Sequence, residues 1–270
     1  MVNKIYDCIT YFDESLQFNL RINILNKYVD KFIVCESNFD HKGNYKGINF
    51  KPENFHDFKN KITHIIIKDK FPDILDPWKT QAFQREYIFK GLKEALPEDY
   101  IMFSDPDEIP RPELLINFEL KTKYGIFMQD LFKYKLNIFN PHESPWEGTR
   151  VCRKKNLKSI DFLRNKIVKK NIKYPFWRID KIKDITLFNN GGWHFSDLMS
   201  AEKISKKLKT FAHREFASDE FSSIDIIKKK IKERVDLFNR GHVYSQRKID
   251  ETYPKYIINN LNQYKDFIDV

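Results

Sequence analysis

The sequence predicts an α/β fold: an open, mostly parallel sheet with helices on both faces. Two observations predict it. Short, continuous apolar runs, "KIYDCITYF" at 4–12, "KFIVCES" at 31–37, "THIIIKD" at 63–69 and "YIMF" at 100–103, have the form of strands buried on both faces. The stretches between them carry apolar residues at helical spacing. In such sheets ligands sit beyond the carboxyl ends of the strands. Polar clusters fall at three of those ends, over 11–14, 36–38 and 104–108.

Taken in order, the first strand leads into a helix from Glu14 to about Tyr28, striped by Leu16, Leu20, Ile24 and Tyr28. Two parallel strands follow. Between "DPW" at 76–78 and "LPEDY" at 96–100, Phe83, Tyr87, Ile88, Leu92 and Ala95 make one helical stripe that leads into the fourth strand. "YGIFMQDLFKYKLNIF" reads as one or two strands. Helices capped by Ser200 and Ser223 carry the stripes Ile204, Leu208, Phe211 and Ile224, Ile227, Ile231, Val235, Phe238, the second stopped at Arg240-Gly241.

At 270 residues, with 41% hydrophobic and 15% aromatic content, the chain can fill a sizeable core. A formal net charge of +10 gives a positive field that favours anionic partners. Cys8, Cys35 and Cys152 are an odd, sparse set, expected as reduced thiols rather than a disulfide frame. No secretory leader and no run of about 20 apolar residues is present, so a cytoplasmic protein is expected. No repeat, low-complexity tract or Gly/Ser linker divides the chain.

"FSDPDEIPRPE" at 103–113 concentrates carboxylates at a strand end. Asp105 and Asp107, two residues apart, reach one crevice if the backbone between them is extended, the shape Pro106 favours for Asp105. Such hard oxygen ligands suit Mg²⁺ or Mn²⁺ shared with a diphosphate. The competing reading has Asp107 and Glu108 favouring the N-terminus of a helix that begins near Pro112. Neither a Gly nor a later Glu falls where an EF-hand needs it.

Five ordered segments, "YFDE" at 11–14, "VDKFIVCESNFDHKG" at 29–43, "FQRE" at 83–86, "FSDPDEIP" at 103–110 and "GGWHFS" at 191–196, together resemble glycosyltransferase family 17, and the likeness runs on to "PKYIINNLNQYKDF" at 254–267. The resemblance implies a GT-A fold, a UDP-sugar donor (UDP-N-acetylglucosamine in characterised members) and inversion at the anomeric carbon. It implies one glycosyltransferase domain over 1–270, its nucleotide-sugar half about 1–115 and its acceptor half about 116–270. Carried over by position, Asp105 and Asp107 meet metal, diphosphate and ribose, and His194 completes the coordination of Mn²⁺ or Mg²⁺. Glu36 and Asn38 lie where base or ribose would sit, Arg85 pairs with the diphosphate or with Asp107, and Gly192 lets the backbone approach the phosphates.

The reaction also needs a group to take the acceptor proton. Glu108, Asp130, Glu147, His213 and Glu215 are the candidates, the last two ranked first because "FAHREF" at 211–216 resembles the family's His-x-Glu after "GWHFS"; an exposed helix face is the alternative. From Arg153 to Lys183 basic residues interleave with Phe162, Tyr174, Phe176 and Trp177. That stretch could hold a glycan or glycolipid acceptor or touch an anionic membrane, or it could be a solvated face. A nucleic-acid-binding module, or a non-catalytic glycan-binding one, is the rival reading, with nucleic acid the less favoured partner.

Overall fold

The computed structural model describes residues 3–210 and 218–270. The four apolar runs form parallel strands as expected. β1 (Ile5–Tyr11) pairs with β2 (Lys31–Ser37) on one side and with β4 (Tyr100–Ser104) on the other, and β3 (Ile62–Ile67) lies beyond β2. Past β4 the sheet turns antiparallel. β8 (Trp146–Arg153) runs against β4, and β6 (Tyr124–Lys133) runs against β8. Along its length β6 then carries the short β7 (Ile138–Phe139), antiparallel to it, and β9 (Ile185–Phe188) and β10 (Gly192–Ser196), both parallel to it. A three-residue strand, β5 (Glu108–Pro110), pairs antiparallel with β10 and places His194 opposite Glu108. The mixed, mostly parallel sheet is the α/β class read from the sequence.

Alternate residues of β1 supply the two faces of the sheet. Ile5, Ile9 and Tyr11 pack into a core with Phe18, Leu20, Ile22, Phe32, Val34 and Met102, under α1 (Ser15–Leu25) and the C-terminal α7 (Lys255–Asn259). Tyr6 and Cys8 join Ile33, Cys35, Ile101, Phe103, Ile88 and Leu163 on the other face, under α2 (Pro77–Tyr87) and α3 (Ile160–Lys166). All three cysteines are buried and unpaired, and burial pushes the Cys35 and Cys152 thiols up to about 12.

Several elements differ from the sequence reading for identifiable reasons. α1 is buried almost all round, including Arg21, so its sequence shows no clean stripe. The stripe from Phe83 to Ala95 is divided: α2 ends at Tyr87 and a 3₁₀ turn follows over Ile88–Gly91, where a Cβ on Gly91 would lie 2.6 Å from Ile33 Cγ2. No α-helix begins at Pro112; a 3₁₀ turn, Pro112–Leu115, follows β5. α4 (Ala201–Thr210) starts where Ser200 Oγ accepts from the Lys203 amide at 3.4 Å, whereas Ser223, between the short α5 (Asp219–Ser222) and α6 (Ile224–Glu233), makes no such bond. α6 stops at Arg234, whose left-handed φ of 54° leaves Val235 and Phe238 outside the helix. Among the described residues no helix is long and apolar enough to cross a membrane.

Candidate active site

The site is built on a buried charge network beneath the end of β4. Arg21, fully buried on α1, donates to both oxygens of Asp7 on β1, Nε to Oδ2 at 2.6 Å and Nη2 to Oδ1 at 2.5 Å. The same guanidinium donates to the Glu108 carbonyl at 2.5 Å and to Ser104 Oγ at 2.9 Å. Ser104 Oγ in turn meets Thr149 Oγ1 of β8 at 2.7 Å. A buried pair of this kind is costly unless every donor is used. Here the spare donors fix both ends of the segment that carries the carboxylates.

That segment is a turn and not the extended stretch expected. The Glu108 amide donates to the Asp105 carbonyl at 3.0 Å, with Pro106 in the second position, where its fixed φ suits a β-turn. The Glu108 carboxylate folds back to accept the Asp105 amide at 3.1 Å. It also accepts the Trp146 indole at 2.7 Å and two Arg164 bonds at 2.7 and 2.8 Å. Burial pushes the Glu108 carboxyl up, but Arg164 outweighs it and holds the group below its ordinary value. Offered above as a proton acceptor, Glu108 has its lone pairs engaged and lies outside the cleft wall, so it acts as the anchor of Arg164 and Trp146.

Asp105 and Asp107 both line a cleft of about 610 Å³ at the carboxyl ends of β1, β2 and β4. They face different partners. Asp105 Oδ2 lies 2.6 Å from Arg164 Nη2, while Asp107 Oδ1 lies 3.4 Å from His194 Nε2. Burial raises the Asp107 carboxyl, yet His194 beside it pulls harder and the net position is below the usual value. The His194 ring leans on Trp146 with centroids 5.2 Å apart, and its Nδ1 is buried with no hydrogen-bond partner among the described residues. Among the described residues no group of three His, Cys, Asp or Glu side chains gathers as a metal cage. The Asp107 carboxylate and the His194 imidazole are an oxygen and nitrogen donor pair that fits Mn²⁺ or Mg²⁺ only where a diphosphate and water complete the shell.

The expected donor-side residues fall into two groups. Glu36 and Asn38 do not reach the cleft wall. Buried Glu36 accepts from Lys46 Nζ at 2.6 Å and from the Asn49 and Phe50 amides at 2.7 and 3.0 Å, and the Asn38 carbonyl accepts the Lys46 amide at 2.8 Å. Together they fold the 38–50 loop so that Ser37, Phe39 and Lys46 line the cleft. Arg85 does line it, with Nη1 2.9 Å from Asp161 rather than near Asp107 and with Nε buried and unpartnered among the described residues. Gly192, with φ of 131°, serves packing: a Cβ there would lie 2.2 Å from the Ile109 carbonyl oxygen, and the residue is absent from the cleft wall. His213 and Glu215 lie outside the described residues. Asp130 pairs with Arg247 at 2.7 Å and Glu147 accepts the Lys169 amide at 2.8 Å, both away from the cleft.

The structure adds residues that the sequence did not single out. Asp197, directly after "GGWHFS", is held 2.8 Å from Lys133 and 2.9 Å from Lys207, whose charges keep its carboxyl well below the usual range despite burial. Arg164, which stood only as one member of a basic run, joins the acidic turn across 56 to 59 residues of chain. Glu14, which stood as the last member of the polar cluster at 11–14, is the cleft carboxylate without an ion pair among the described residues. Its Oε2 accepts the Phe12 and Asp13 amides at 2.7 and 3.0 Å, and burial leaves its carboxyl raised above the usual value.

An acidic turn beyond a parallel strand, beside a histidine and on one cleft wall with Lys46, Lys133 and Lys207, defines an α/β protein whose cleft lies where open sheets of this class place their ligand sites. The chain belongs to glycosyltransferase family 17, whose model matches residues 1–135, half of the sequence. It is 26% identical over 147 residues to the beta-1,4-mannosyl-glycoprotein 4-beta-N-acetylglucosaminyltransferases of Homo sapiens and Rattus norvegicus, a match over 46% of this chain and 27% of each relative. The likeness thus spans about a quarter of those proteins' length. Among solved structures, it resembles S. aureus TarS residues 1–349 at 12% identity and TM-score 0.36, over 85% of this chain and 71% of that one. Glucosyl-3-phosphoglycerate synthase from Mycobacterium tuberculosis, in complex with Mn²⁺, UDP and glucosyl-3-phosphoglycerate, matches at 10% identity and TM-score 0.41, over 95% and 92% of the two chains.

Proposed function

We propose that the chain is an inverting glycosyltransferase that takes a sugar, N-acetylglucosamine by analogy with the names of its relatives, from a UDP-sugar to a hydroxyl of a glycan or glycolipid. The observation that carries the reading is the pairing of Asp107 with His194 at 3.4 Å on the wall of the cleft beyond β4. These two side chains would hold Mn²⁺ or Mg²⁺. Bound there, the cation supplies charge neutralisation of the departing diphosphate.

The remaining steps fall to the protein's own groups. Lys46, Lys133 and Lys207 set a positive field over the place where a nucleoside diphosphate would lie. Phe12, Phe39 and Trp146 offer apolar faces to a base or a sugar ring. Asp105, tied to Arg164, is positioned for ribose or phosphate contact through its remaining lone pairs. Glu14 accepts the proton of the attacking hydroxyl. The other cleft carboxylates are committed to cations: Asp105 to Arg164, Glu143 to Arg240 and Asp197 to two lysines. A group of raised pKa with one oxygen unengaged among the described residues is the better base near neutral pH.

Calorimetric titration of UDP with and without Mn²⁺ tests the reading. The parent should bind UDP at least ~10-fold tighter with metal, and Asp107→Asn should erase that difference while keeping the parental melting temperature. Metal-independent UDP binding, or an unchanged Asp107→Asn variant, would overturn it.

A further inference from the structure

Beyond the cleft, one surface has an unusual composition. Between α3 and β9 the chain makes a set of turns from which Phe176, Trp177 and Ile179 project, at 85%, 65% and 93% exposure. These are not loose side chains on a loose loop. The Arg178 amide donates to the Pro175 carbonyl at 3.0 Å, and the Lys181 amide to the Arg178 carbonyl at 3.1 Å. Lys183 Nζ ties the Phe176 and Arg178 carbonyls at 3.1 and 3.0 Å. At the base, buried Asn171 donates to the Lys166 carbonyl of α3 at 2.8 Å. Phe176 and Trp177 meet edge to face with centroids 5.1 Å apart. The fold therefore spends local hydrogen bonds on holding three large apolar side chains out in water.

Their surroundings are basic. Lys166, Lys169, Lys170, Lys173, Arg178, Lys181 and Lys183 fall within 166–183, against the single acid Asp180, which Arg178 engages at 2.7 and 2.8 Å. An aromatic and aliphatic crest within a lysine-rich stretch is the composition of an interfacial anchor: the crest enters the headgroup layer and the lysines meet anionic lipid. Self-association would press two strongly positive surfaces together. Nucleic acid would use the two aromatic rings, but Ile179, the most exposed of the three, has no face on which a base can stack.

We infer that residues 172–183 form a docking surface for an anionic lipid bilayer. Cleft-lining Arg164 and Asn165 lie in the last turn of α3, whose Lys166 carbonyl accepts from Asn171 at the base of this surface. The docking does not depend on the transferase reading, because it is measured on lipid alone.

The test is co-sedimentation of the full chain with vesicles of phosphatidylcholine alone and with phosphatidylglycerol added, at low and at physiological salt. The parent should partition at least ~10-fold more strongly onto the phosphatidylglycerol vesicles, and added salt should weaken it. The variant carrying Phe176→Ser, Trp177→Ser and Ile179→Ser should lose at least ~10-fold of that partitioning with an unchanged melting temperature, since surface changes leave stability nearly as it was. A separate variant with Lys170→Glu and Lys173→Glu should lose the preference for phosphatidylglycerol. Equal binding to both vesicles, no binding, or full binding by the triple variant overturns the inference. So does a concentration-dependent dimer, or an oligonucleotide complex, that forms in the parent without lipid and disappears in the triple variant.

Discussion

The Arg164 guanidinium bridges Asp105 and Glu108, with Nη2 2.6 Å from one carboxylate and 2.7 Å from the other. Glu108 is fully buried, so Arg164 is the counter-charge that lets it remain ionised. Arg164→Ala should destabilise the protein by about 3–5 kcal/mol in urea unfolding, because it strands a buried charge. Arg164→Lys should recover only part of that, since an ammonium cannot span both carboxylates as the planar fork does. Full stability in Arg164→Ala would show that the turn is held by other means.

Acid titration should reveal the same pair. The Glu108 carboxyl is held below its ordinary value of 4.5 in the folded state, so the unfolded chain takes up a proton first as pH falls. The stability it contributes is complete above that value and is lost as pH drops through the lower folded pKa. Melting temperature followed downward from pH 7 should therefore fall more steeply below about pH 4.5 in the parent than in Glu108→Gln. Parallel curves would remove Glu108 from the account.

Gly192→Ala is expected to be damaging although the residue is absent from the cleft wall. The added carbon would sit 2.2 Å from the Ile109 carbonyl oxygen and 2.7 Å from the Arg111 nitrogen, at a φ of 131° that side chains rarely adopt. Strain of this type costs about 1–3 kcal/mol before any shift of β5. A melting temperature equal to the parent's would contradict the packing role.

Glu14→Gln separates chemistry from binding. The amide keeps the shape and can still accept the Phe12 and Asp13 amides through its oxygen, but it cannot take a proton. Turnover should fall about 10²- to 10⁴-fold while UDP affinity in Mn²⁺ changes little. Near-parental turnover would move the base elsewhere, with His213 and Glu215 next to be tried.

The first four strands were legible because each is a short, continuous apolar run, although the edge strand β3 buries only Ile65 and Ile67, and the carboxylates at 105–108 were legible because they stand directly at a strand end. β8 was not, since "WEGTRVCR" puts buried polar residues, Thr149 and Arg150, where a sequence reading expects exposure. Arg21 is hidden in the same way: a charge on a helix reads as a solvent face until Asp7 is known to lie against it. Arg164, Lys133 and Lys207 find their acidic partners only through tertiary contact, so spacing carries no sign of them. Asp197 had one available signal, its place directly after the last residue of β10, "GWHFS".

The pairing of β5 with β10 also bears on how the chain can be cut and recombined. The segment that the family model matches, 1–135, contains the whole acidic turn but none of Trp146, Arg164 and His194. A chimaera that grafts this segment onto a foreign C-terminal half inherits Glu108 without its counter-charge and Ile109 without the strand it pairs with. Such a graft needs an arginine brought to the same spot, and a glycine at the head of the strand that faces β5. The two halves of the sequence are therefore not interchangeable parts, and a substitution in one is answerable to a residue in the other.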